Sequence, residues 1–223
     1  MKPITLKCSE LVFDFDLYPR PNIDAAHVRN IMTALEAGEE LPPIVVDEKS
    51  KRIVDGFHRV RAMQRHDKDN ATIQAILHSY ASDKALFLEA VRLNAAHGRS
   101  LTSYDRAHAI ILADKLGIDH DVLAGALRMT LARVNDLRIE RSAIAEKLTV
   151  PLKRTIRHMA GRKLSKGQQE ANVKLSGMDA GFYVRQVILL LENDLLDPED
   201  EELDPLLDCL AKLLRERKKA LAV

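Results

Sequence analysis

Tryptophan is absent from the 223-residue chain, aromatic residues make up 4% of it, and cysteine occurs twice. Cys8 and Cys209 stand far apart with no Cys-x-x-Cys or Cys/His cluster, so a disulfide framework or a zinc site has no sequence support, and both are read as reduced thiols. No stretch approaches the ~18 uninterrupted apolar residues of a membrane span, and the opening MKPITLKCSE lacks the apolar core of a signal peptide. A cytoplasmic protein with no membrane partner is expected. A lysine-bearing P-loop, HExxH and Gly-x-Ser-x-Gly are also missing, which removes the commoner nucleotide, zinc-protease and hydrolase assignments. The eight histidines are scattered and no metal is assigned to them.

What remains is an ordinary globular composition, 46% hydrophobic and 30% charged, long enough for two small domains. The net charge of +1 conceals segregation. Residues 151–166 carry Lys153, Arg154, Arg157, Arg162, Lys163 and Lys166 with no acid, whereas 192–204 is crowded with Asp and Glu. Such a basic stretch suits a polyanion or simply a solvated face, and composition does not choose between them.

In the first part of the chain, ITLKCSELVFDF reads as a strand and a turn, and the prolines of LYPRPN force an extended loop. Asp24 is placed to cap a helix whose Val28, Ile31, Met32 and Leu35 follow helical spacing, with Gly38 ending it. The runs 44–46 and 52–54 flank a polar turn as a β-hairpin, 72–77 is a further strand, and a helix capped by Asp83 runs through Ala85–Ala96.

The most informative stretch is D-G-F-H-R-V-R-A-M-Q-R, residues 55–65, where a Gly turn launches a helix with His58, Arg59 and Arg61 in its first turns. Open amides at a helix N-terminus bind phosphate oxygens, and Gly56 lets a ligand approach the backbone. Arg59 adds a bidentate contact and His58 a second donor. The competing view is a tight turn with solvated basic side chains, although cations at a helix N-terminus oppose its dipole.

These residues carry a resemblance. A strand, an Arg in a Pro-containing loop, a helix ending in A-G-E, then L-P-P-I-V-V-D and R-I-V-D-G-F-H-R-V-R-A, is similar over residues 4 to about 98 to the ParB N-terminal domain, whose fold sulfiredoxin shares. The resemblance implies a nucleoside triphosphate ligand, CTP or ATP, with Mg²⁺ as its companion. It places Gly56, His58 and Arg59 on the phosphates, with Arg20, Asn94 and His97 completing the site. The family's Glu is Leu93 here and its downstream Arg falls to His97 or Arg99, which weakens the case for metal-assisted hydrolysis. Sulfiredoxin's reactive cysteine is replaced by Phe57, which cannot act as a thiolate, so that enzyme's chemistry is not expected.

From residue 99 the pattern turns to nearly pure helix. Thr102 and Asp105 approximate a capping box, and Gly117 closes the helix they begin. L-A-G-A-L-R-M-T-L-A-R-V-N-D-L, 123–137, fits a helix-turn-helix with Thr130 capping the second helix. Leu131, Arg133, Asn135 and Arg138 would then face the major groove, with Lys153, Arg154 and Arg157 on phosphates. The register is open, because L-A-D-K-L-G-I-D at 112–119 also fits, and so does a plain helical hairpin. ParB-like proteins place a helix-turn-helix directly after the nucleotide domain, which favours the DNA-binding view. Beyond 170, helices are expected at Phe182–Leu191 and Leu203–Leu221. The second carries a leucine stripe, Leu203, Leu206, Leu207, Leu210, Leu213 and Leu214, suited to homodimerisation or to an internal core.

The expected fold is α+β: a small ParB/sulfiredoxin-like nucleotide-binding domain (1–98), an all-α helix-turn-helix domain (99–166) and a C-terminal helical segment (167–223). The expected function is a nucleotide-responsive protein binding double-stranded DNA, acting in plasmid or chromosome partition or in transcriptional regulation, with a phage or other mobile element as one setting. The alternative is an enzyme on the same pocket, an NTPase, kinase or nuclease, for which no catalytic residue is assigned and Asp55 is the adjacent carboxylate.

Overall fold

The computed structural model describes residues 2–96, 99–197 and 199–221. The chain divides into two compact units, Met1–Ser176 and Gly177–Val223.

The first unit opens with β1 (Ile4–Lys7), α1 (Ala25–Glu36), β2 (Ile44–Asp47), β3 (Ile53–Asp55), α2 (Phe57–His66), β4 (Thr72–His78) and α3 (Asp83–Ala96). The strands form one sheet in the order β1-β4-β2-β3, antiparallel except for the β2–β4 pair. Helix α1 starts where its sequence says it should. The Asp24 carboxylate accepts the Ala26 and His27 amides at 2.8 and 3.0 Å, satisfying two donors the helix leaves open. Ile44, Val46, Ile53, Phe57, Val60, Ile73 and Ala75 bury together and set α2 against the sheet. Helix α3 begins one residue earlier than the sequence suggests. Ser82 caps it, its hydroxyl accepting the Ala85 amide at 3.3 Å, and Asp83 is the first helical residue, where its charge favours the dipole.

Helices α4 (Ser103–Leu116), α5 (His120–Leu127) and α6 (Leu131–Glu140) follow. Thr102 and Asp105 close a full capping box on α4, and Gly117 (φ +62°) ends that helix. Leu123, Leu127, Val134 and Leu137 join Leu17, Val54, Leu86, Phe87 and Val91 in a single core. The helices beyond residue 99 thus share buried side chains with β3 and α3.

Residues 142–164 depart from the helical expectation. β5 (Ser142–Ala145), β6 (Leu148–Pro151) and β7 (Lys163–Leu164) form a small sheet in the order β6-β5-β7. β5 and β6 are an antiparallel hairpin turning at Glu146, which takes φ +56°. Ala143, Leu152 and Leu164 are buried beneath the sheet, while the basic stretch becomes a 3-10 segment, Arg154–Met159. Helix α7 (Lys166–Lys174) starts with a Ser165/Gln168 capping box. The second unit holds α8 (Ala180–Glu192), capped by Asp179, and α9 (Leu203–Leu221). Val184, Ile188, Leu189 and Leu191 of α8 and Leu206, Leu213 and Leu214 of α9 are exposed. Among the described residues no helix is long and apolar enough to cross a membrane.

Candidate nucleotide site and nucleic-acid interface

A cavity of about 380 Å³ opens where the 18–23 loop, α1 and the start of α2 meet. Tyr18, Arg20, His27, Gly56, Phe57, His58, Arg59, Asn94 and Arg99 are among its walls. Gly56 is the N-cap of α2 with φ +112°, and no side chain closes that helix end. The positive φ suits glycine, and a Cβ there would stand 2.3 Å from Ile44 Cγ2. The backbone of α2 therefore enters the cavity wall with no side-chain cap on its first-turn amides. By contrast α1, α4, α5, α6, α7 and α8 each carry a side-chain cap.

The structure gives the basic side chains tighter partners than the sequence reveals. Arg59 Nη1 donates to the Pro42 and Pro43 carbonyls at 2.7 and 2.9 Å, and Nη2 to Asp55 Oδ2 at 2.6 Å. Arg59 thus ties the Pro-Pro segment to the start of α2 and engages the one carboxylate beside the turn. His58 accepts the Asp24 amide on Nε2 at 3.0 Å, which puts its proton on Nδ1, 3.5 Å from the Tyr18 hydroxyl. Its ring is an acceptor from the loop on one side and faces Tyr18 on the other. The Tyr18 ring stacks on Phe57 with centroids 3.8 Å apart. Arg20 is buried, donating to Asn94 Oδ1 at 3.4 Å, to the Ser100 carbonyl at 3.5 Å, to the Arg99 carbonyl, and to Asp105 Oδ2 at 3.2 Å. Asn94 is fixed by donating to the Ala90 carbonyl at 2.9 Å. His97 lies outside the described residues. Sequence reasoning missed Tyr18, His27 and the Asp24–Arg99 ion pair. Asp24 gave a signal that pointed to a cap and Arg99 one that pointed to the resemblance's downstream arginine, but neither pointed to the pair they form.

Burial pushes His58 down to about 4, with His27, Arg20 and Arg99 adding positive charge nearby. Burial lowers His27 as well, joined by Arg99. The His27 amide, more than any other group, holds the Asp24 carboxyl below its ordinary value, and Arg99 assists. His108 on α4 is likewise held near 4 by burial. Because the folded protein resists protonating His58 and His108, the unfolded chain binds more protons between their folded values and the free value of about 6.5. Stability is then full above about pH 6.5 and lost as pH falls toward about 4. Melting at about pH 5 is expected to be several degrees below that at about pH 7.5, and equal melting temperatures would contradict buried, neutral imidazoles.

The second constellation lies on α5 and α6. Arg128 occupies the turn in the left-handed conformation (φ +54°), its amide donating to the Ala124 and Gly125 carbonyls, where glycine would be easier. Thr130 Oγ1 caps α6 by accepting the Arg133 amide at 3.3 Å. Leu131 is exposed on α6, as are Arg133, Asn135 and Arg138, while Val134 and Leu137 face the core. Asn135 Oδ1 lies 3.2 Å from His120 Nδ1, and Arg138 Nε donates to Asp114 Oδ2 at 2.9 Å. Arg133 and Arg157 approach Glu140 at 4.0 and 3.8 Å. Arg154 begins the exposed 3-10 segment beside them. Lys153 is held elsewhere, donating to the Val173 carbonyl at 2.6 Å and to the Leu175 carbonyl at the end of α7. Burial holds Arg141, which sequence reasoning passed over, below its ordinary value, with Arg157 adding positive charge and Glu140 opposing it.

Residues 5–91 match the sequence pattern of the ParB N-terminal domain. The similarity to the ParB N-terminal domain covers this part of the chain. The chain is 36% identical over 89 residues to a possible regulatory protein of the streptomycin biosynthesis operon of Streptomyces griseus. It is 38% identical over 80 residues to the transcriptional regulator NovG of Streptomyces niveus. Those matches take in 40% and 36% of this chain and 25% and 24% of the relatives, so the chain spans about a quarter of their length. Chromosome-partitioning protein ParB of Caulobacter crescentus, C-terminally truncated and bound to the centromeric parS site, superposes with a TM-score of 0.42 and 18% identity. That superposition covers 60% of this chain and 69% of the other. Its complex with CTP-γ-S gives a TM-score of 0.38 and 18% identity over 61% and 77% of the two chains. The matched residues run from β1 through most of α3, and the cavity walls from Tyr18 to Arg59 fall among them. Asn94, Arg99 and the α5–α6 pair lie beyond the matched residues.

Proposed function

We propose that this protein is a DNA-binding regulator of the ParB type whose hold on DNA responds to a nucleoside triphosphate, CTP or ATP, seated at the Gly56 turn. The observation that carries the nucleotide half is the uncapped N-terminus of α2, set into a cavity that Arg20, Arg59 and Arg99 also line. Amide donors and a positive helix end suit phosphate oxygens, and neighbouring guanidinium groups add charge without requiring a metal. Among the described residues no group of three or more His, Cys, Asp or Glu side chains is arranged to hold a metal ion.

The DNA half rests on α5 and α6 as a helix-turn-helix in the register 123–137. Val134 and Leu137 are buried, which leaves Arg133, Asn135 and Arg138 on the solvent side of the second helix, the residue types that read guanine and adenine edges. Arg154 and Arg157 extend the same surface toward phosphates. The exposed apolar residues of α8 and α9 support assembly as a homodimer, which would double the contacts to a two-fold site. Partition and transcriptional regulation are the two settings that fit such a protein, and the Streptomyces relatives favour the second.

Calorimetric titration with CTP, ATP and GTP, with and without Mg²⁺, tests the nucleotide site. Saturable binding to one of them is expected, with at least about a tenfold loss in Arg59→Ala, which removes a charge-assisted donor and frees the Pro42–Pro43 segment. Absence of binding by every nucleotide contradicts the proposal.

A further inference from the structure

The 18–24 loop touches the cavity on one side and α4 on the other. On the cavity side, Tyr18 stacks on Phe57 and the Asp24 amide donates to His58. On the α4 side, Arg20 is ion-paired to Asp105. The same Asp105 Oδ2 that receives Arg20 also accepts the Thr102 amide and hydroxyl, both at 2.9 Å, to complete the α4 capping box. One buried carboxylate oxygen therefore serves the start of α4 and the counter-charge of a cavity-lining arginine. The pair is nearly sealed, with side-chain exposures of 5% for Arg20 and 11% for Asp105.

Resting on the nucleotide site proposed above, we propose that Arg20 is shared between ligand and Asp105, so that phosphate in the cavity draws Arg20 away and loosens the N-terminus of α4. A triphosphate outweighs a single carboxylate in charge, and low-dielectric surroundings magnify that difference. Once Arg20 turns to the ligand, Asp105 is left as a buried carboxylate whose partners are Thr102 alone among those described above, which destabilises the first turn of α4. Helix α4 packs with α5 and α6 in one core, so a shift at its start is passed to the helices proposed to meet DNA. Asp105 thus acts as a positioning residue: it reaches the ligand only through Arg20.

The test is Asp105→Asn, which keeps the shape and removes the charge competing for Arg20. In titrations with CTP and with ATP, the variant is expected to bind nucleotide about fivefold or more tightly than the unsubstituted protein, a gain that loss of structure would not produce. In the unsubstituted protein, saturating nucleotide is expected to speed hydrogen exchange at the Asp105 and Arg106 amides, which are now held by Thr102 Oγ1 at 3.1 Å and the Thr102 carbonyl at 2.9 Å. A folded Asp105→Asn protein with unchanged or weaker nucleotide affinity overturns the sharing of Arg20, as does unaltered exchange at those amides. Should the variant fail to fold, the exchange measurement decides alone. If the unsubstituted protein binds no nucleotide, the nucleotide site itself fails; if it binds and these two results are negative, only the Arg20–Asp105 link fails.

Discussion

Gly56→Ala is expected to destabilise the protein by about 2–5 kcal/mol, combining strain at a positive φ with overpacking against a buried neighbour. The added Cβ would sit 2.3 Å from Ile44 Cγ2 and 2.8 Å from Ile44 Cβ, distances that cannot stand. Ile44 is fully buried in β2, whose neighbours β3 and β4 leave it little room to withdraw. Gly38→Ala provides the comparison, since Gly38 also has a positive φ (+85°) but nothing lies within 4 Å of its added Cβ. That substitution carries backbone strain alone, about 1 kcal/mol. At about 2–4 °C per kcal/mol for a chain of this size, thermal melting separates the two readily. Equal melting temperatures would mean that the sheet yields at Ile44 and that Gly56 is not required by packing.

Arg20→Met is the second large effect, about 3–5 kcal/mol, because it strands the Asp105 carboxylate in the interior at the start of α4. The methionine replaces most of the aliphatic volume but none of the donors that now reach Asp105, Asn94 and the Arg99 and Ser100 carbonyls. Asp105→Asn is milder, since Arg20 keeps those carbonyl and amide partners and the cavity beside it. Urea midpoints with an unchanged slope would measure both. A loss below about 1 kcal/mol in Arg20→Met would show that the loop is not held by this pair and would remove the physical basis for coupling it to α4.

Much of the first unit was legible because its elements announce themselves locally. Asp24 before an amphipathic run, Asp55-Gly56 ending a strand, and Thr102 three residues before Asp105 each have one favourable reading, and the structure adopts it. The small sheet was not legible. Its hairpin turns on Glu146-Lys147 without Gly or Asn, its strands are four residues or fewer, and β7 joins in parallel from well along the chain. The α5–α6 turn was legible from the apolar spacing and Thr130, but Arg128 left its register open by taking a left-handed conformation that sequence assigns to glycine. In the cavity, residue types pointed to phosphate chemistry, whereas the partners of Arg59 and Arg20 depended on long side chains reaching across the fold. His58, read from sequence as a donor, accepts the Asp24 amide instead, because the 18–24 loop folds back over α2.

The most direct test of nucleotide-controlled DNA binding is the affinity of the full chain for a duplex enriched from a random pool, measured at fixed salt with and without saturating CTP or ATP. By linkage the nucleotide should change DNA affinity by about five- to 150-fold, DNA should change nucleotide affinity by the same factor, and Arg59→Ala should abolish both effects. A duplex bound equally well with and without a nucleotide that demonstrably occupies the cavity would contradict the account.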